Sequence, residues 1–369
     1  MFPLEHDADR IALSAAGKAA RIAVIVVAVL ALVFSVYLIA GGVNEISLHR
    51  VETLVDLARN PLIALMVGLL ATAAVQSSST VTALVVASVA TGILELDAAI
   101  PIILGANIGT TVTPMIVSFS YLHDKQDFRT AHSTAALHLW FNTVFVLLIF
   151  PIEYFFGPMR HLAPHIDLPG EPLRVETFIE LARLVPFHGM WSIVAGIVVL
   201  VASIRLIDDQ LKHLLTPLAW KLLGHTSSGS AAFGFGAGML LTVLIQASSA
   251  VVSATLPFAT AKLADLRGYM AVILGANVGT TMLAVITAFA TPGDYPTVAF
   301  QAAIVHVAFN VFGALVVALI GPMRRLIYRL ARMSGRIAER SVWLTFGAMA
   351  LGYFIVPALL ISVYSLLEM

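Results

Sequence analysis

Seven long apolar runs constrain the fold of this chain more than any other feature of its sequence. A run of about 20 apolar residues is long enough to cross the hydrocarbon core of a bilayer as an α-helix. The runs have the approximate bounds 20–41, 97–118, 131–156, 185–206, 267–291, 299–320 and 342–367. Only 11% of the residues are charged, against roughly a quarter in soluble domains. We therefore predict an all-α polytopic membrane protein in contact with the lipid bilayer, which disfavours a water-soluble enzyme.

The charge balance and the lack of cysteine exclude further classes. Lys plus Arg and Asp plus Glu number 21 each, so no surplus of positive charge is present to bind a nucleic acid. Cysteine is absent, which excludes disulfides, thiolate metal sites and cysteine nucleophiles. The first apolar run is too long for the core of a signal peptide, and we expect it to be retained as a helix.

Two further apolar stretches, 61–94 and 233–263, have an awkward length. Each is longer than one membrane span and too short for two spans with a turn. Each also carries a polar cluster at its middle, QSSST at 76–80 and QASSA at 246–250. Polar residues at membrane depth are tolerated where they are buried in protein or line a wet cavity. We predict that each stretch forms a re-entrant helical hairpin, which enters and leaves the membrane on one side.

The two polar clusters belong to an internal duplication. In both halves the cluster's glutamine precedes a second motif by the same spacing, and this motif reads ILGANIGTT at 103–111 and ILGANVGTT at 273–281. A third motif follows, HLWFN at 138–142 and HVAFN at 306–310. Three ordered matches indicate two repeats, as in many transporters. The predicted divisions are a first repeat 1–157, a linker 158–183, a second repeat 184–322, a basic segment 323–341 and a C-terminal transmembrane helix 342–369.

Counting spans gives the relative orientation of the repeats. Each repeat holds three crossings besides its hairpin, and an odd number inverts the second copy. With the N-terminus inside, 16 of the 21 Lys and Arg residues fall on the inner side, as the positive-inside rule requires. The five outer ones are Arg50, Arg59, Arg160, Arg174 and Arg183. The basic segment 321–341 is best explained as a topology anchor, with an amphipathic helix on anionic lipid as the alternative.

The polar clusters offer neutral chemistry. Lys and Arg are absent from 61–120 and from 268–291. A helix that begins after Gln76 or Gln246 would present unpaired N–H groups and the positive end of its dipole to an anion. A dianion in a medium of low dielectric needs further compensation, which co-bound sodium ions would provide. Oxygens suited to Na⁺ lie on Gln76, Asn107, Thr110, Gln246, Asn277 and Thr280.

Other interpretations of these polar residues stay open. Small and hydroxylated residues in membrane helices often serve packing alone. His138 and His306 are either proton relays or satisfied core histidines. Asp124 and Asp127 are by default solvated loop residues.

The set QSSST, GANIGTT, HDKQDFR and HLWFN, followed by QASSA, GANVGTT, ATPGD and HVAFN, resembles the type II sodium–phosphate cotransporter family, in its bacterial branch. The match covers about residues 61–142 and 233–322. The resemblance implies sodium-driven uptake of inorganic phosphate across a bacterial inner membrane, with a cytoplasmic N-terminus. It implies no enzymatic activity and no cofactor besides the coupling Na⁺. A homodimer is compatible with it.

The resemblance also implies residue roles. Phosphate would be held at the two hairpin tips, by Gln76, Ser77, Ser78, Ser79, Thr80, Ser248 and Ser249. One sodium would be held by Gln246, Ser248 and Thr280. The oxygen chemistry described above, rather than the resemblance, adds Asn107, Thr110 and Asn277 as further sodium ligands. Asp124, with Asn142 as its partner, would hold another sodium. The chain departs from the family pattern at Ala247, where relatives carry serine, at Met282 and Leu283, where relatives continue with threonine, and at Tyr121, where glutamine is frequent.

Competing functions use the same residues differently. Phosphate efflux, transport of another oxyanion and passive anion conduction keep the fold. An intramembrane serine hydrolase would need Ser78 and His138 to form a dyad, and the chain lacks a GxSxG context for such a serine.

Overall fold

The computed structural model describes residues 15–45, 59–170, 177, 180–181, 184–186, 189–225, 230–291 and 293–367. Every regular element within these ranges is helical, as predicted. The helices are α1 (Ala15–Glu45), α2 (Pro61–Val75), α3 (Ser78–Ala90), α4 (Leu96–Gly109), α5 (Val112–Ser118), α6 (Lys125–Phe156), α7 (Pro158–Leu162), α8 (Met190–His225), α9 (Ala231–Ile245), α10 (Ser248–Ala254), α11 (Leu256–Thr260), α12 (Leu266–Ala290), α13 (Pro296–Leu319), α14 (Gly321–Arg340), α15 (Val342–Ala350) and α16 (Val356–Leu367). Arg10, Arg50, Arg174 and Arg183 of the charge count lie outside the described residues.

Within the described residues, seven segments are long and apolar enough to cross a membrane, which agrees with the seven predicted spans. They are α1, α4 with α5, α6, α8, α12, α13, and α15 with α16. The largest difference from the predicted bounds is at the end of the fourth span. The sequence predicts that the fourth span ends near residue 206, whereas α8 continues to His225. The residues beyond 206 are more polar but keep apolar positions at helical spacing, so the helix continues with one face buried.

The helix pairs on either side of the polar clusters begin with matching caps. The Asn60 side chain accepts hydrogen bonds from the backbone N–H groups of Leu62 and Ile63, at 3.0 and 3.3 Å, and so starts α2. Its repeat equivalent, Ser230, accepts from the N–H of Phe233 at 3.3 Å and starts α9. Side chains of this kind satisfy N–H groups that have no partner inside the helix. The duplication of sequence is thus also a duplication of helix boundaries.

The first helix of each pair packs closely along the helix that carries the GAN motif. A Cβ atom at Gly105 of α4 would overlap the carbonyl oxygen of Leu65 in α2. A Cβ atom at Gly275 of α12 would overlap the carbonyl oxygen of Phe235 in α9 in the same way. Only glycine permits two helix backbones to approach so closely. These contacts hold each polar cluster against the GAN motif of its own half.

The apolar core interlocks the two halves. One cluster joins α2, α3 and α4 of the first half to α13 of the second, where Phe300 and Phe309 are buried. A second cluster joins four consecutive helices of the second half, α9 through α12, to α6 of the first half, where Phe141 is buried. A third cluster packs α1 and α8 against α3 and α12. Both polar clusters consequently lie within one packed body.

Candidate functional site

Each polar cluster begins with a sharp break between two helices. Gln76 ends α2 with φ 59° and ψ 28°, and Gln246 ends α9 with φ 58° and ψ 19°. Such left-handed backbone is uncommon for a residue other than glycine. The N–H of each glutamine donates to a threonine carbonyl one turn earlier, of Thr72 and Thr242, at 2.7 Å in both cases. The two halves therefore build the same helix ending, and a new helix starts directly beyond each break.

The helices that follow the breaks differ in one cap. Ser77 lies before α3, and its hydroxyl accepts from the N–H of Thr80 at 3.2 Å and from the hydroxyl of Thr80 at 2.8 Å. Ala247 occupies the equivalent place before α10 with similar extended backbone and makes no side-chain cap. The sequence departure at Ala247 thus removes a helix cap as well as a hydroxyl from the second cluster.

Both breaks face one cavity of about 140 Å³. Its lining residues are Gln76, Ser77, Ser78, Ser79, Thr110, Thr113, Ala247, Ser248, Ser249 and Ala250. Eight of these ten carry a hydroxyl or an amide, and none carries a charge. The space is enough for several water molecules or a small polyatomic solute. Seven residues predicted for the site line this single cavity.

Hydrogen bonds join the clusters where they meet. The Ser79 hydroxyl donates to the backbone carbonyl of Gln246 at 2.7 Å and lies 3.3 Å from the hydroxyl of Thr280. The Ser78 hydroxyl donates to that of Thr110 at 3.1 Å. The structure thus brings Gln246 and Thr280, both predicted sodium ligands, to Ser79 of the first polar cluster. Thr80, also predicted, does not line the cavity; it is buried and bonds to Ser77.

The asparagines of the GAN motifs do not line the cavity. Instead, His138 Nε2 lies 2.9 Å from Asn277 Oδ1, and Asn310 Nδ2 donates to Asn107 Oδ1 at 3.1 Å. Each pair joins the second motif of one half to the third motif of the other. His138 is thus partnered through Nε2 alone. Its Nδ1 and both ring nitrogens of the buried His306 have no hydrogen-bond partner among the described residues.

The Asp124 carboxylate acts as a helix cap. It accepts from the N–H groups of Gln126 and Asp127, at 2.8 Å each, and starts α6. Asn142 lies further along the same continuous helix, at a distance of about 27 Å for a rise of about 1.5 Å per residue. The resemblance implied that Asp124 and Asn142 are partners in one sodium site. The distance between them excludes that pairing. The Asn142 amide donates to the backbone carbonyl of His138 at 3.0 Å.

Two residues at the site were not predicted. Thr113 lines the cavity. Its equivalent in the second half is Leu283, which cannot donate a hydrogen bond. This difference between the two halves is the signal in the sequence that could have found Thr113. The charge count places Arg205 among the inner cations, at the end of the predicted fourth span. In the structure it lies within α8, and its guanidinium donates to the carbonyl of Val75 at 3.4 Å. Val75 directly precedes Gln76, which lines the cavity, so this cation contacts the end of α2 next to a lining residue.

Comparison with known proteins now identifies the family. Residues 31–152 and 199–355 match the family profile described as Na+/Pi-cotransporter. The chain belongs to the Na+/Pi-cotransporter family. The chain is 26% identical over 411 residues to sodium-dependent phosphate transport protein 2A of Ovis aries. The aligned region covers 88% of this chain and 64% of that protein. It is also 26% identical over 404 residues to protein 2B of Homo sapiens, with 81% and 58% covered.

The family match confirms the resemblance and covers both motif-bearing halves. The chain spans less than two thirds of the length of these curated relatives. No solved structure matches the chain. The family consists of transporters, which agrees with a protein that is not an enzyme. The geometry also disfavours a serine hydrolase, since the Ser78 hydroxyl bonds to Thr110 and the His138 ring to Asn277.

Proposed function

We propose that this protein is a secondary active transporter that carries inorganic phosphate into the cell together with sodium ions. The observation that carries the proposal is the single uncharged cavity between two helix breaks of the same design. The helices α3 and α10 both begin at this cavity, with Ser78 and Ser248 as their first residues. The N–H groups of a helix's first turn and the positive end of its dipole favour an anion.

Sodium coupling follows from the absence of a charged side chain among the residues that line the cavity. Helix ends supply partial charges only, and a dianion brought out of water needs more compensation than they give. The buried side-chain oxygens of Gln246 and Ser248 have no hydrogen-bond partner among the described residues. Together with the Thr280 hydroxyl they offer neutral oxygens, which hard cations prefer. We propose that one sodium binds there, and that Asn107, Thr110, Asn277, Asp124 and Asn142 are the candidates for other sodium contacts.

We further propose that the two broken helix pairs are re-entrant hairpins in two repeats of inverted topology. Three features that recur at equivalent positions of the two halves support this arrangement: the caps at Asn60 and Ser230, the close contacts at Gly105 and Gly275, and the breaks at Gln76 and Gln246. An inverted pair would present the same cavity alternately to the two sides of the membrane. The proposed setting is a bacterial inner membrane with a cytoplasmic N-terminus.

Proteoliposomes test the proposal directly. Purified protein should accumulate radiolabelled phosphate when an inward sodium gradient is imposed, and should not do so when potassium replaces sodium. A hydrogen bond to a charged group contributes about 1.5–3 kcal/mol, so Ser78→Ala or Ser249→Ala should lower uptake about tenfold or more. The absence of sodium-dependent accumulation by the parent protein would remove the cotransport assignment.

Matched controls lie on the same helices. Ser88 of α3 and Ser253 of α10 bond to carbonyls of their own helix, at 2.8 and 2.7 Å, and do not line the cavity. Ser88→Ala and Ser253→Ala should keep parent uptake. Equal losses in all four variants would show that the serines act in packing alone. Competition by other tetrahedral oxyanions and an outward sodium gradient would separate a different substrate and phosphate efflux from the proposed uptake.

A further inference from the structure

One face of α14 carries a row of arginines. Arg325, Arg329, Arg332, Arg336 and Arg340 are all exposed and recur every three or four residues, which is the spacing of a single helix face. From the first to the last, the row is about 22 Å long at a rise of about 1.5 Å per residue. Within the described part of the chain, none of these five makes an ion pair.

The opposite face of α14 is fixed to the protein. Ile327, Ala331 and Ala338 are buried in that face. The Trp140 indole of α6 donates to the Ser334 hydroxyl at 2.8 Å. The one acidic residue of α14, Glu339, is paired with Arg129 of α6 at 3.1 Å. The helix cannot rotate to bury its arginines, and its own sequence offers them no counter-charge.

The neighbours of α14 place it on the membrane surface. Only Ile320 separates it from α13 and only Ser341 separates it from α15. Both neighbouring segments, Pro296–Leu319 and Val342–Leu367, are candidate spans, whereas α14 with its six arginines is not. The two ends of α14 therefore lie on the same side of the bilayer. A straight helix with both ends at one surface lies along that surface.

We propose that this arginine row binds the headgroups of anionic phospholipids in the membrane leaflet around the protein. Guanidinium groups pair with phosphate oxygens through two parallel hydrogen bonds. Leu326 and Met333 beside the row are 43% and 41% exposed, and apolar side chains between arginines are typical of helices that lie at the boundary between headgroups and acyl chains. The charge and these apolar neighbours together fit a lipid better than a soluble anion.

Native mass spectrometry of the purified full chain tests the proposal without measuring transport. The protein is equilibrated with equal amounts of phosphatidylglycerol and phosphatidylcholine of the same chain length, and the retained lipids are counted. The parent should retain phosphatidylglycerol preferentially. The double variant Arg329→Gln/Arg336→Gln should lose that excess several-fold, and Arg329→Lys/Arg336→Lys should keep part of it because the charge remains.

Lys125→Gln/Arg267→Gln is the matched control, since it removes two exposed cations from other helix starts. It should retain lipid as the parent does. Parent protein without preference, or a control that loses as much as the arginine variant, would overturn the proposal. If Arg329→Gln/Arg336→Gln fails to give a monodisperse protein, Arg325→Gln/Arg332→Gln removes two charges from the same row and makes the same prediction. Displacement of the retained lipid by excess phosphate in the buffer would show that the row binds free phosphate instead, and would also overturn the proposal.

Discussion

Gly238 and Gly236 are near neighbours on α9 and should respond to alanine in opposite directions. A Cβ atom at Gly238 would overlap the carbonyl oxygen of Val272 in α12, whereas a Cβ atom at Gly236 meets nothing within 4 Å. Alanine is favoured over glycine within a helix by about 1 kcal/mol, so Gly236→Ala should stabilise the protein by up to that amount. Overpacking against a backbone carbonyl costs about 1–3 kcal/mol, because α9 must move away from α12.

The gain in helix propensity applies to both variants, so they should differ in the free energy of unfolding by the overpacking cost alone, about 1–3 kcal/mol. Size-exclusion chromatography of heated, detergent-solubilised protein gives their melting temperatures. Gly238→Ala should melt below the parent, and Gly236→Ala at or above it. Phosphate uptake by Gly238→Ala should also fall, since α9 ends at Gln246 beside the cavity. If Gly238→Ala melts together with Gly236→Ala, the close approach of α9 and α12 is absent from the protein and the reasoning fails.

The other predictions concern the edge of the site. Ser77→Ala should destabilise the protein by about 1 kcal/mol through loss of a cap, and Ala247→Ser should stabilise it by about 0.5 kcal/mol; thermal melting checks both, and equal melting of the two would refute the cap assignment. Asp124→Asn keeps a good cap, so its melting should be unchanged while the charge moved per phosphate changes; currents equal to the parent's would remove Asp124 from sodium binding. Arg205→Gln should raise the KM for phosphate with little change in kcat, and an unchanged KM would show that this arginine serves structure only.

The spans and the helix breaks were predictable because they depend on local sequence. Apolar runs of sufficient length must lie in the membrane, and a polar cluster in the middle of such a run marks an interruption. The duplication strengthened both inferences, since QSSST and QASSA occupy the same place in each half. The αL conformation of Gln76 and Gln246 was not predictable, because glutamine has no preference for that region.

Contacts between distant segments could not be predicted. Nothing local to His138 shows that its ring meets Asn277 of the other half, and the similar spacing of the motifs even favours partners within one half. The proposed pairing of Asp124 with Asn142 failed for a related reason. Both residues belong to motifs carried over from a family pattern, and only the continuous course of α6 shows that about 27 Å of helix separates them.

Arg205 bears on how the cavity compensates a negative solute. The sequence predicts a site without a fixed cation, and the ten lining residues agree with this. Arg205 is exposed, lies well inside the span Met190–Leu215, and reaches Val75 from a helix outside both broken pairs. A cation at that depth is costly unless it faces protein or a wet cavity. Among the described residues its guanidinium donates to that carbonyl alone, so most of its five N–H donors remain available to an approaching anion.

In this position Arg205 would raise the local anion concentration and leave compensation within the cavity to sodium. Arg205→Gln should accordingly weaken phosphate binding while the number of sodium ions moved per phosphate stays the same. Arg21, which bonds to Gln210 of the same helix at 2.8 Å, supplies the control. Arg21→Gln should change neither quantity, and a changed sodium ratio in Arg205→Gln alone would place this guanidinium inside the coupling site.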